Sequence, residues 1–325
     1  MKPQASVAII LALTGCMSFN HVDVSLRERF KEYEEKLVWN DLSTHEKIAI
    51  IDIDGIIDDD SEDSLFRSKE SMIVSVVEKL KKAEADPVVK AVILRIDSPG
   101  GSVTASDVLY EEIRAFKARK AVPVVAAFMG VAASGGYYVS CACDRIVAHP
   151  TTITGSIGVI ALHVSLAGLL EKAGIKVEAL KSGAHKDTGS IFRDLAPDER
   201  KVLQALIDDM HGRFVSVVAR GRQLVMTEAQ AHGLADGRIY SADQALKVKL
   251  IDRIGYLKDA VEEAKILAGM KGAKVVLYTR RPESAENVYS PARASASADS
   301  AVLDLARRAL TFQLCYLWEP GLLGK

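Results

Sequence analysis

Val88-Val89-Lys90-Ala91-Val92-Ile93-Leu94-Arg95-Ile96 is an apolar, β-branched run that ends on Asp97-Ser98-Pro99-Gly100-Gly101-Ser102. The run has the length of a strand and is apolar on both faces, so it reads as a buried strand closed by a glycine turn. Ser106 to Arg119 follows with helical spacing, with Val108, Leu109, Ile113 and Phe116 inward. The alternation continues on both sides. Upstream, Lys47 to Ile57 reads as a buried strand, and Ser71 to Ala85 as a helix with Met72, Val76, Val77 and Leu80 on one face. Downstream come a strand at Val122 to Phe128, a short helix at Tyr137 to Cys143 and a short strand at Arg145 to Ala148. Buried strands alternating with helices predict an α/β fold around a parallel-type sheet.

Further along, Leu166 to Ala173 is helical and Lys176 to Leu180 reads as a strand. Pro197 to Ala219 is a long helix, Thr227 to Gly233 and Ser241 to Val248 are shorter ones, and Lys274 to Tyr278 is a last strand. The chain therefore divides into a signal segment (1–16), a charged spacer, helical or irregular (17–45), a main domain (46–282), a linker rich in Ser, Ala and Pro (283–300) and a C-terminal part (301–325). In that last part Ala301 to Phe312 reads as an amphipathic helix. Leu314 to Leu323 is an apolar tail too short to span a bilayer, which takes roughly 20 residues. Such a tail docks in an oligomer or touches a membrane.

The composition, 49% hydrophobic and 26% charged over 325 residues, is that of a globular protein and excludes a disordered or fibrous chain. Lys and Arg number 42 against 43 Asp and Glu, a net charge of −1, which argues against nucleic acid as a partner. Four Cys make no disulfide scaffold; Cys141 and Cys143 read as small buried residues. The N-terminus runs Met1-Lys2, then apolar from Ala5 to Leu13, the layout of a secretory signal. Leu13-Thr14-Gly15-Cys16 resembles the bacterial lipobox, in which the Cys becomes the lipidated first residue of the mature chain. Residue 17 is Met rather than Asp, which favours the outer over the inner membrane. A lipid on Cys16 or a short uncleaved anchor both put the globular part outside the cytoplasm, attached to a membrane of the cell envelope.

Three glycine-containing stretches follow strands: Asp97 to Ser102, Met129-Gly130-Val131-Ala132-Ala133-Ser134-Gly135-Gly136-Tyr137-Tyr138, and Thr154-Gly155-Ser156-Ile157-Gly158. In a parallel sheet, chemistry gathers at the carboxyl ends of strands. Glycine there lets the backbone aim N–H groups at a substrate, so Gly100-Gly101 is a candidate oxyanion hole. Ser134 falls where a strand turns into a helix, whose N-terminus favours developing negative charge. A serine nucleophile needs a base. His149, His163 and His185 stand in no recognisable triad order, although order alone does not exclude one. A lysine serves if burial keeps it neutral, and Lys186, in Lys181-Ser182-Gly183-Ala184-His185-Lys186-Asp187, is a candidate.

Taken together, these stretches resemble the signal peptide peptidase family, membrane-attached serine–lysine peptidases of the Clp-protease/crotonase-like fold, a repeated β-β-α spiral. The matching residues are Ile96 to Gly101, Ala133 to Tyr138, Gly155-Ser156-Ile157-Gly158-Val159, Lys186-Asp187 and Ala235-Asp236-Gly237-Arg238-Ile239-Tyr240. They cover about residues 47 to 260 in order, and the length fits the short form of the family. The resemblance implies Ser134 as nucleophile, Lys186 as general base, Ser156 as the hydroxyl that orients the lysine amine, and the Gly101 N–H as an oxyanion donor. It implies no cofactor and no metal, peptide substrates such as remnant signal peptides, and a homo-oligomeric ring. Asp187-Thr188-Gly189-Ser190 lacks the Pro that often follows Lys-Asp in the family, and the lipobox replaces its usual transmembrane anchor.

Three other functions compete. Ile50-Ile51-Asp52-Ile53-Asp54-Gly55 resembles the first motif of haloacid-dehalogenase-like phosphatases, where the first Asp attacks phosphorus. A crotonase-like acyl-CoA enzyme shares the fold and the glycine-rich oxyanion hole, but its chemistry usually needs carboxylates instead of a Ser134 and Lys186 pair. An inactive scaffold of the same fold is the third.

Overall fold

A computed structural model describes residues 32–40, 44–59, 62–64, 67–69, 71–280, 287 and 314–318. The signal segment with Cys16, the expected linker and the expected helix at 301–312 lie outside the described residues, apart from the single residue 287. Two units separate, Met1–Glu32 and Tyr33–Lys325, and every described strand and helix belongs to the second.

In chain order the elements are β1 (Glu34–Asn40), β2 (Lys47–Asp54), β3 (Glu62–Ser64), β4 (Arg67–Lys69), α1 (Met72–Ala85), β5 (Val89–Ser98), β6 (Gly100–Ser102), α2 (Val103–Lys120), β7 (Val124–Ala133), α3 (Gly135–Ser140), β8 (Arg145–Ala148), β9 (Ile153–Gly155) and β10 (Ile160–Ala161). Then come α4 (Ala167–Lys172), α5 (Pro197–Gly221), α6 (Glu228–Gly233), β11 (Ile239–Ser241), α7 (Ala242–Lys247), β12 (Arg253–Ile254), α8 (Leu257–Ala268), β13 (Lys274–Thr279) and β14 (Leu314–Leu317).

The main sheet runs β1-β13-β2-β5-β7-β8-β12. It is parallel from β13 to β12, and only the edge strand β1 is antiparallel on this path. The central strands are covered on both faces, which is why they read as continuous apolar runs. Successive residues go to opposite layers. Ile51, Ile53, Val92, Leu94, Ile96, Ala126 and Phe128 face the layer that holds α1, α2, α3 and the C-terminal half of α5. Ile48, Ile50, Ala91, Ile93, Val125, Ala127 and Val147 face α8.

Strand β7 changes partner along its length. Val125 to Phe128 pairs with β8, while Val131 to Ala133 pairs with β9. The exchange of partners at Met129-Gly130 takes the last residues of β7 off the β8 edge and onto a branch formed by β9 and β11. β9 and β11 thus join the same nine-stranded sheet as a branch off its main path.

Four details depart from the sequence reading. Residues 34–40, expected as part of a spacer, form the edge strand β1, because six of them pair with β13. Val108 is exposed instead of inward. The inward stripe of α2 is Ala105, Leu109, Ile113 and Phe116, and Val108 lies one helical step off it. Lys176 to Leu180 is no strand; it has no ladder partner among the described residues, and Leu180 is 94% exposed. The tail is not left for an oligomer or a membrane alone. Leu314 to Leu317 forms β14, in a second sheet ordered β10-β14-β6, with Tyr316 fully buried.

Candidate active site

The glycine stretches converge at the carboxyl ends of β5 and β7. Gly100-Gly101 is clamped from one side by Ile57: the Ile57 N–H donates to the Gly100 carbonyl at 2.8 Å, and the Ser102 N–H to the Ile57 carbonyl at 2.9 Å. From inside the turn, the Ser98 hydroxyl accepts the Gly100 N–H at 3.1 Å. A Cβ on Gly101 would stand 1.8 Å from the Ile57 carbonyl oxygen, and one on Gly136 would stand 2.8 Å from the Ser98 carbonyl oxygen. These are backbone neighbours that cannot swing aside, so glycine is required by close approach. Asp97 braces the next strand by accepting the Val131 N–H at 2.9 Å.

Ser134 is the junction of β7 and α3, with φ 52° and ψ −116°. A non-glycine residue there carries about 1–3 kcal/mol of strain. Two hydrogen bonds over-determine it: the Ser134 N–H donates to the Gly155 carbonyl, and the Tyr138 N–H donates to the Ser134 carbonyl, both at 2.8 Å. Each contributes about 1 kcal/mol, enough to hold the conformation. The residue is 1% exposed, and its side chain makes no cap hydrogen bond to α3. The hydroxyl is thus held at the tip of a strained turn and is not spent on structure.

Ser156 stands beside it. Ala133 pairs with Gly155 across β7 and β9, so Ser134 and Ser156 occupy neighbouring ends of parallel strands. Ser156 is buried and also has positive φ, 50°. Its N–H donates to the Arg238 carbonyl at 2.8 Å. The segment Ala235 to Tyr240 explains itself here: β11 pairs Ile239 with Gly155, and a Cβ on Gly155 would stand 2.5 Å from the Tyr240 ring. That segment pins the Gly155-Ser156 corner.

Lys186 is placed differently. It is exposed, on a turn-rich arm between β10 and α5, and its side chain makes no hydrogen bond or ion pair among the described residues. Its backbone N–H donates to the Gly183 carbonyl at 3.1 Å. The single chain therefore brings Ser134, Ser156 and Gly101 together, while the Lys186 amine stays exposed and reaches none of them by a hydrogen bond. The turn itself is well anchored. Asp187 takes Arg193 and Lys181, and Arg193 also reaches Glu199 at the start of α5. The Arg193 guanidinium, with Lys181, holds the Asp187 carboxyl well below the usual carboxylate range. Arg193 first, then the Ala196 N–H, draws Glu199 down to about 2. Both carboxylates therefore stay charged, and the anchor intact, throughout the neutral range.

The competing centres fare worse. Both oxygens of Asp52 are engaged by Arg95, at 2.6 and 2.9 Å, inside the core. A carboxylate locked to a buried guanidinium is no nucleophile toward phosphorus. Burial pushes the Cys141 thiol up to about 12 and Cys143 higher still, which disfavours a thiolate at either.

Sequence reasoning missed β14. It enters beside Gly100-Gly101, pairing Tyr316 with Gly101 and Cys315 with Ser102, and on its other side pairs with β10. Burial pushes the Tyr316 phenol well above the usual range. The signal in the sequence was the aromatic pair Tyr316 and Trp318 flanking Leu317, which alternates as a strand does.

Comparison with known proteins bears on this geometry. The pattern described as "Peptidase family S49" matches residues 116–271, and that described as "Clp protease" matches residues 64–153. A putative protease of Synechocystis sp. is 41% identical over 237 residues, 73% of this chain and 80% of its own length. The chain belongs to peptidase family S49. A putative signal peptide peptidase of Enterococcus faecium is 38% identical, over 73% of this chain and 68% of its own length. A putative protease of Methanocaldococcus jannaschii is 37% identical, over 73% and 76%. The S49 assignment makes this chain a serine peptidase with peptide substrates, and it bears out the resemblance to signal peptide peptidases read from the sequence. The crotonase-like and phosphatase readings fall with it.

Proposed function

We propose that this S49 peptidase uses a serine–lysine dyad, Ser134 as nucleophile and Lys186 as general base, completed between neighbouring copies of the chain. The observation that carries this reading is the split arrangement. Ser134 is buried, strained and free of any capping role, whereas Lys186 stands exposed on an arm with no partner for its amine among the described residues. That arm is apolar where a soluble loop would not be. Leu169, Ile175, Val177, Leu180 and Phe192 are all exposed on it. An exposed patch of this kind fits a surface that another copy covers. A ring fits this arrangement, because the surface that offers the lysine differs from the one that offers the serine, and heterologous contacts form cycles where their rotation closes.

In the dyad, the neutral Lys186 amine takes the proton of the Ser134 hydroxyl as its oxygen attacks the peptide carbonyl. The oxyanion is met by the Gly101 N–H, and the protonated amine then gives its proton to the leaving amine. Ser156 holds the lysine amine in line. Because Ser156 is neutral, it does not stabilise the ammonium as a carboxylate would. The substrates are remnant signal peptides and other unfolded, membrane-proximal segments, taken outside the cytoplasm by an enzyme attached through a lipid on Cys16.

Mixing tests the shared site. Rings assembled from Ser134→Ala and Lys186→Ala chains together are expected to regain about a quarter of wild-type activity, since random pairing leaves that share of junctions intact. Verified mixed rings with no activity would sink the shared dyad. Mass spectrometry of the mature N-terminus tests the attachment: a diacylglyceryl group on Cys16 is expected, and an unmodified Met1 or Cys16 would remove the lipid anchor.

A further inference from the structure

The turn Ala235-Asp236-Gly237-Arg238 grips the corner at Ser156. The Arg238 carbonyl accepts the Ser156 N–H at 2.8 Å, and the Gly237 N–H donates to the Ile157 carbonyl at 3.1 Å. Beyond the turn, β11 continues the grip by pairing Ile239 with Gly155 and Tyr240 with Thr154. Ser156 needs it, because a non-glycine residue at φ 50° persists only where its neighbours over-determine it. Where the Ser156 hydroxyl points follows from that backbone. The turn has little to fix it from within. Residues 236–239 are exposed, so they bury little apolar surface. Its ion pair is internal, with Arg238 clasping Asp236 two residues away.

Among the described residues, one side chain from outside bonds to this turn. The Nε2 of His211, on α5, lies 2.7 Å from the Ala235 carbonyl oxygen. A carbonyl only accepts, so Nε2 carries the hydrogen and donates. Ala235 is buried, and a buried carbonyl needs a donor. The imidazole is itself well seated. His211 sits on the face of α5 that carries Phe214 and Val218 three and seven residues on, both fully buried. Its ring meets His232 of α6 edge to face at 6.5 Å, and the Ala235 N–H donates to the His232 carbonyl at 3.1 Å.

We propose that His211 is a positioning residue for the peptidase reaction: by donating to the Ala235 carbonyl it holds the turn, and through the turn it holds the Ser156 hydroxyl where that hydroxyl orients the base. The inference rests on the orienting role proposed for Ser156. His211 bonds the turn and not the reacting groups, so its effect passes through the backbone and falls on the rate instead of on peptide binding. A misplacement of about 1 Å, caused far from the chemistry, costs up to about 100-fold in rate. The other end of α5 serves the base. Glu199, in its first turn, holds Arg193, and Arg193 holds Asp187, the residue after Lys186. One helix thus carries both the foot of the lysine arm and the donor that sets Ser156.

The test is a double-mutant cycle in the full chain, read as kcat and KM on a fluorogenic peptide that the wild type cleaves. His211→Phe keeps an aromatic ring and removes the donor. It is expected to lower kcat about 10- to 100-fold with KM unchanged. Ser156→Ala is expected to lose at least as much. Adding His211→Phe to it is expected to cost less than about twofold more, because both act through one hydroxyl. His211→Gln, which restores an N–H donor on a side chain of similar reach, is expected to recover most of the lost rate. Wild-type kcat in His211→Phe overturns the inference, and so does a loss that multiplies in full with that of Ser156→Ala, since the imidazole then acts by another route. If His211→Phe fails to fold, His211→Ala replaces it in the same cycle, alanine being the best helix former. The two readings separate cleanly. Wild-type kcat in Ser156→Ala defeats the orienting hydroxyl and the inference with it, whereas a loss there beside an unaffected His211→Phe defeats the inference alone.

Discussion

Ser134→Ala is expected to abolish peptide cleavage and fluorophosphonate labelling while leaving the fold in place. Nucleophile removal in serine peptidases costs about 10⁴- to 10⁶-fold in kcat. The stability side is small for a stated reason. The hydroxyl makes no cap hydrogen bond, so its loss strands no partner, and the two bonds that fix the turn are made by the backbone. Alanine meets the same strain at φ 52° as serine does. The melting temperature is expected to move by no more than about 4 °C, the shift that ~1 kcal/mol gives in a chain of this size. Labelling that survives the substitution would show that another residue is the nucleophile. A collapse in stability would show that the hydroxyl has a structural task.

Lys186→Ala is expected to lower kcat by about 10³- to 10⁴-fold at neutral pH, because a weak alcohol nucleophile then has no base. The informative companion is Lys186→Arg. A guanidinium keeps the charge and the reach but holds its proton throughout the working range, so arginine is expected to fail as completely as alanine. Activity retained by Lys186→Arg would reduce the lysine to an electrostatic or binding role. Lys172→Ala, an exposed lysine on the same arm, serves as the control and is expected to act like wild type. Neither change at Lys186 removes a contact within the described chain, so both variants should melt with the wild type.

The parts legible in the sequence were those that local rules govern. Lys47 to Asp54 and Val89 to Ser98 are buried on both faces, and a doubly buried strand leaves a continuous apolar run. Pro at the first position of α5 and the Glu199 side chain returning to the Ala196 N–H mark a helix start in the sequence itself. Ser134 and the glycines around it were legible because positive φ and backbone contact restrict the residue types allowed. Where packing overrode pattern, the reading failed. Lys176 to Leu180 alternates as a strand does, yet a strand needs an edge to pair with, and no described strand offers one. Glu34 to Asn40 looks like a charged spacer, yet an edge strand needs apolar residues on one face only.

By itself, the sequence determined the alternating α/β chain, the glycine turns that let two backbones touch, and the serine at the strand-to-helix corner, because each is dictated within a few residues by period, burial and dihedral freedom. Only the tertiary structure decided what meets at that corner. The pairing of β7 with β9 put Ser156 beside Ser134, the bridge from Ile57 turned Gly101 toward the cleft, and β14 came from the far end of the chain to fill it. These are contacts between residues far apart along the backbone, whose formation depends on closing long loops against shared surfaces, and no short window of sequence records which surfaces those will be.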